Sequence, residues 1–134
     1  MEKFVYNDGG RSKYFKGANV GDCAVRAFAI ASGRDYKEVY DLAKTLCKKK
    51  GESPRSGLKK RQCDKLGSLL GGEWVCCMRI GEGCKLHLNC DELPKGNIVC
   101  SCSKHLVAVI DGIVNDTYDS SRDGKRCVYG YWKF

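Results

Sequence analysis

One short segment constrains this chain more than any other. Residues Cys23 to Ala31 read Cys-Ala-Val-Arg-Ala-Phe-Ala-Ile-Ala, with Arg26 the single charged side chain. The spacing predicts a helix that is apolar nearly all the way round. Such a helix has to be covered on all sides, so it belongs at the centre of a fold and not on its surface. Asp22 stands where an N-cap is wanted, and Gly33 stands where a helix stops. The chain has 134 residues, the length of one domain, and the expectation is a single domain over 1–134. That length buries roughly two-thirds of the unfolded surface, enough for one core around such a helix.

The remaining elements follow from periodicity. A second helix is expected from Asp35 or Tyr36 to Lys49, with Val39, Leu42, Ala43, Leu46 and Cys47 on one stripe. Its acidic start and basic end both suit the helix dipole. Gly51 to Gly57, with Pro54, reads as a linker, and Leu58 to Leu70 as a third helix stopped by Gly71-Gly72. The Gly-rich first 21 residues read as a short strand or arm and a loop that delivers Cys23. After residue 72 the pattern turns strand-like: Glu73 to Ile80, Lys85 to Leu88, Ile98 to Cys102, Leu106 to Ile110, Ile113 to Tyr118 and Arg126 to Trp132. Helices first and strands afterwards predict an α+β domain with an antiparallel sheet.

Asp111-Gly112 between two apolar runs is a strong hairpin signal. With those two residues as the loop, Ile110 pairs with Ile113, Val107 with Asp116 and His105 with Tyr118. Alternation then puts His105 and Asp116 on one face, diagonally adjacent. Asn115 points the other way and becomes the alternative partner of His105 if a one-residue bulge shifts the register. The opposite face, with Leu106, Ala108, Ile110 and Ile113, is a surface for the apolar helix to pack against.

A thiol at a helix start and a His/Asp pair on neighbouring strands are the parts of a cysteine nucleophile site. A free cysteine titrates near about 8.5, and a helix N-terminus beside an imidazolium lowers it by several units. The expectation is Cys23 as nucleophile, His105 as base and acid, and Asp116 as the group that orients the ring. The Cys23 main-chain N–H and the Asn19 side-chain amide are the candidate oxyanion donors. Asp22 is awkward as a catalyst beside a thiolate; its expected role is the helix cap, paired with Arg26 four residues on. No cofactor is called for. Each residue also has a plainer role: Cys23 as one core thiol among ten, His105 as a structural strand histidine, Asp116 as a turn acid.

Two other chemistries stay open. Cys84, His87 and Cys90, with Cys100 and Cys102 further on, mix sulfur and nitrogen as zinc sites do, but no paired Cys-x-x-Cys accompanies them. Ten cysteines without an apolar leader favour reduced thiols in a cytoplasmic setting over a disulfide framework. Net charge is +8, and the stretch Lys44 to Lys65 carries nine Lys/Arg against Glu52 and Asp64. That stretch is either a solvated face or the patch by which a non-catalytic binding or inhibitor protein, the alternative to an enzyme, would hold an anionic partner, nucleic acid included. No run approaches the roughly 18 apolar residues of a membrane span.

The segments Gly21-Asp22-Cys23-Ala24-Val25-Arg26-Ala27, Ser103 to Gly112, Asn115-Asp116-Thr117 and Arg126 to Trp132 resemble the papain-like cysteine peptidase superfamily in its compact bacterial and phage forms. The resemblance runs from about Tyr6 to Trp132. It implies a Cys-bearing helix packed on an antiparallel sheet with His and Asn/Asp on adjacent strands. The activities it implies are cleavage of peptide or isopeptide bonds, amidase, deamidase or transglutaminase chemistry. Carried over, Cys23 matches the nucleophile, His105 the base and Asp116 the orienter, with a peptide or protein as substrate and, for a phage protein, the host cytoplasm as the compartment. The family often places Gln six residues before the nucleophile; here that position is Gly17.

Overall fold

A computed structural model describes residues 3–16 and 21–134. Among these, three α-helices and six strands form an α+β fold: β1 (Phe4–Tyr6), α1 (Cys23–Ser32), α2 (Tyr36–Leu46), α3 (Lys60–Leu69), β2 (Glu73–Cys76), β3 (Asn97–Cys102), β4 (His105–Ile110), β5 (Ile113–Asp116) and β6 (Gly130–Lys133). The strands make one mixed sheet in the order β1-β5-β4-β3-β6-β2. The expected all-antiparallel arrangement is corrected at one edge, where β1 runs parallel to β5. The N-terminal arm is thus a strand, added beside the hairpin instead of extending it.

α1 lies where its composition demands. Val25 and Phe28 are fully buried, and the helix packs on β4 and β3 through Leu106, Ala108 and Val99. α2 and α3 cover its outer side with Val39, Ala43 and Leu66. Gly33 ends α1 in the left-handed conformation at φ 74°. The other face of the sheet presents Ile98, Cys100, Val107, Val109 and Val114, covered by irregular segments through Leu88, Leu93 and Val128. The fold is therefore helices, sheet and a loop layer.

The β4–β5 hairpin has the expected register at its tip, Ile110 opposite Ile113. Asp111 and Gly112 sit at φ 50° and 84°, the two positive values a type I′ turn requires. The pairing runs only to Ala108 opposite Asn115. Pairing of Val107 with Asp116 and His105 with Tyr118 lies beyond the ladder, although the His105 and Tyr118 rings remain neighbours at 5.5 Å.

Four strand expectations are shortened, β5 among them, which ends at Asp116 short of Tyr118. β2 stops at Cys76, because the N–H groups of Cys77 and Met78 both turn to Tyr129 O. Lys85 to Leu88 forms only a bridge, His87 opposite Cys127. The strand expected from Arg126 begins at Gly130, since residues 126–128 are engaged by Leu86 and Leu88 instead. The expectation that favours reduced thiols is corrected at one pair: Cys84 and Cys127 form a disulfide, with Cα atoms 5.9 Å apart. The segments 85–88 and 126–128 are thus held together by both hydrogen bonds and a covalent bond.

Candidate active site

Cys23 is the first residue of α1, so its N–H lies in the helical turn whose donors have no partner within the helix. Cys23 is half-buried and lines a cleft of about 660 Å³. His105 opens β4 immediately after the two-residue turn Ser103-Lys104, across which Cys102 pairs with His105. Its ring is buried, and Nε2 meets Asp116 Oδ2 at 2.7 Å. The His105 ring and the Leu106 main chain are near enough to the Cys23 thiol to act on its titration, and Cys23, His105 and Leu106 line the same cleft. With Nε2 on Asp116, the ring nitrogen left for the sulfur is Nδ1.

Asp116 is fixed by more than the histidine. Thr117 N–H donates to its Oδ1 at 2.7 Å, and Ser120 Oγ donates to its Oδ2 at 2.9 Å. Arg26 Nη2 reaches Oδ1 at 3.4 Å. The same guanidinium pairs through Nη1 with Asp22, which is fully buried. Arg11 Nη1 lies 3.3 Å from Asp22 Oδ1, and Tyr36 OH donates to Oδ2 at 2.7 Å. Two carboxylates and two guanidiniums thus alternate beneath the head of α1. The expected N-cap role of Asp22 is corrected: its side chain makes no cap bond, because two cations and a phenol take its oxygens. The expected Asp22–Arg26 pair is present.

These contacts set the electrostatics. Burial pushes the Cys23 thiol up, but the His105 ring, the Leu106 main chain and the charges of His105 and Arg26 together bring it below an ordinary cysteine. Burial pulls His105 down, yet its bonds to Asp116 and Cys23 raise it to about 9. Asp116 is lowered despite burial, chiefly by the hydrogen bond from His105. Opposite shifts on a thiol and an imidazole that line one cleft favour thiolate beside imidazolium. The buried thiols go the other way: burial raises Cys63 to about 12 and Cys102 to about 11.

Asn115 donates to Ile113 O at 3.0 Å and accepts from Asn7 at 3.2 Å, so it is not the partner of His105. Asn19 and Gly17 lie outside the described residues. Cys84 is joined to Cys127, and His87 Nδ1 sits on Glu92 at 3.1 Å. Among the described residues no group of His, Cys, Asp and Glu is arranged to hold a metal, so the zinc set is dispersed. The basic stretch falls on the end of α2, the linker and α3, where Lys59 pairs with Glu52 and Lys60 with Asp64. No described helix is long and apolar enough to cross a membrane.

Sequence reasoning missed Arg11, Tyr36, Ser120 and Arg126. Arg126 donates to Ser103 O at 2.8 Å and to Ser120 O at 3.3 Å. It thereby ties the turn that carries His105 to the residue that holds Asp116. One signal was present: a lone Arg26 in an otherwise apolar helix requires buried carboxylates, since an unpaired interior charge is too costly to keep.

The fold is an α+β domain with a mixed sheet, in which Cys23 at the head of the central helix and the carboxylate-held His105 line one cleft. No protein-family model, curated protein or solved structure matches the chain.

Proposed function

We propose that the protein is a cysteine hydrolase of papain-like architecture that cleaves amide bonds, peptide or isopeptide, through a thioester on Cys23. The observation that supports this reading is the His105 ring, held by Asp116 at 2.7 Å, in the cleft that Cys23 at the head of α1 also lines. The thiolate attacks the carbonyl carbon, and the carbonyl π electrons move to oxygen, where the Cys23 N–H donates. Collapse breaks the C–N bond, and the leaving amine takes its proton from the His105 imidazolium. Water then loses a proton to His105 and attacks the thioester, releasing the acid and restoring the thiol. Asp116 holds the ring tautomer and stabilises its cationic form throughout.

Alkylation by iodoacetamide, read by peptide mass mapping, tests the reading. An ordinary thiol slows as pH falls below its pKa of about 8.5. Cys23 is lowered, so at pH 6 to 7 it labels first, about tenfold or more ahead of the exposed Cys76, and slows only as pH drops through its own depressed pKa. His105→Ala removes the imidazolium and moves the Cys23 profile up toward that of a free thiol. Equal labelling of Cys23 and Cys76 at neutral pH overturns the proposal.

A further inference from the structure

The cleft beside Cys23 has a chemical character that the nucleophile does not explain. Its walls include Trp74, Trp132, Leu58, Leu106, Met78 and Tyr129. The two indoles pack with centroids 4.5 Å apart, and Trp132 meets Phe28 at 5.1 Å, so the aromatic wall is anchored in the core. Trp132 lies over Gly67, where an added Cβ would come within 2.6 Å of the ring, and Trp74 lies over Gly130 in the same way. The backbone therefore makes room for both rings. Trp74 is nevertheless 38% exposed and Tyr129 is 36% exposed, which leaves aromatic surface open beside a reactive sulfur. A volume of about 660 Å³ is in the range of ligand pockets and admits a large side chain.

The rim is cationic. Apart from His105, the titratable residues lining the cleft besides its thiols and Tyr129 are Lys60 and Lys104, with no Asp or Glu among the described lining residues. Lys60 holds its ammonium 5.2 Å from the Trp74 ring centre and is partly offset by Asp64 at 3.1 Å. Lys104 enters no ion pair among the described residues. It adjoins His105 and sits at φ 55°, a conformation that favours Gly or Asn in a two-residue turn and costs a lysine energy.

Resting on the hydrolase reading, we infer that the substrate is a polypeptide segment in which an aromatic or large aliphatic side chain adjoins a carboxylate. The apolar side chain fills the tryptophan-walled cleft, and the carboxylate meets Lys104, with Lys60 adding to the field. An acidic substrate also suits the net charge of +8, which attracts anions at long range.

The test uses three peptidyl vinyl sulfones of equal length, which trap a thiolate by addition of sulfur to the β carbon and a proton to the α carbon. One carries Phe next to Glu, one Phe next to Lys, and one Gly next to Glu. Labelling rates at Cys23 are read by intact mass beside the iodoacetamide rate. The Phe-Glu probe is expected to react at least about tenfold faster than either of the others, with the advantage over Phe-Lys shrinking as salt is raised. In Lys104→Glu the ratio of the Phe-Glu to the Phe-Lys rate inverts. Rapid iodoacetamide labelling of Cys23 with equal rates for the three probes overturns the substrate inference and leaves the hydrolase reading standing. Slow iodoacetamide labelling of Cys23 overturns both.

Discussion

Arg26 and Asp22 carry more of this molecule than their neighbours in α1. A guanidinium in a helix that is otherwise apolar joins Asp22, one residue before the thiol, to Asp116, the residue that holds the imidazole. The link runs through the interior, where water cannot substitute for a lost partner. Asp22 also offsets Arg11 and accepts from Tyr36, whose phenol is pushed far up by burial and by that carboxylate. Asp22→Asn preserves shape but removes the charge, leaving Arg11 and Arg26 short of a counter-ion. Breaking a buried pair in this way costs about 3 to 5 kcal/mol. The urea midpoint of Asp22→Asn is expected to fall accordingly; a shift below about 1 kcal/mol would mean that the cluster is open to water.

Among the elements, the aromatic wall of the cleft depends on helix α3 being smooth at one point. Gly67 lies inside that helix, where alanine is intrinsically better by about 1 kcal/mol. The added methyl, however, would stand 2.6 Å from Trp132 and 3.2 Å from Phe28, both buried in the core. Overpacking of this kind costs about 1 to 3 kcal/mol, so the clash outweighs the propensity. Gly67→Ala is expected to destabilise the protein in chemical denaturation and to alter Trp fluorescence; a gain in stability would show that α3 can slide away from the sheet. On the other side of the cleft, Arg126 holds the β3–β4 turn against Ser120. His105 and Asp116 meet through that clamp although regular β4–β5 pairing has already ended.

For the whole molecule, the two faces of the sheet are stabilised differently. The helical face buries a continuous core around Phe28 and Leu66. The other face is covered by irregular chain, pinned by the Cys84–Cys127 bond across a sequence separation of 43 residues. A cross-link closing a loop of that size contributes about 3 to 4 kcal/mol. Reductant is therefore expected to lower the thermal midpoint of the protein, and Cys84→Ser to lower it equally and abolish the response to reductant. An unchanged midpoint in reductant would show that Leu88, Leu93 and Val128 hold the loop layer without the bond. Since Arg126 adjoins Cys127, the same bond lies next to the clamp on the site.

Much of this was readable from residues alone. A helix apolar but for Arg26 has one place to go, and Asp111-Gly112 between apolar runs has one turn to make, so α1 and the hairpin tip follow from local chemistry, whereas the His105–Asp116 contact lies past the end of the ladder. The strand ends at Cys76 and Gly130, the parallel arm and the disulfide do not follow from local chemistry, because each depends on which distant backbone offers a partner. Asp22 shows the division most sharply. Its position before α1 predicts a cap, and capping is what an exposed carboxylate there does. Burial beside Arg11, Arg26 and Tyr36 made a stronger set of partners available, and only the packing of three separate segments could bring them together.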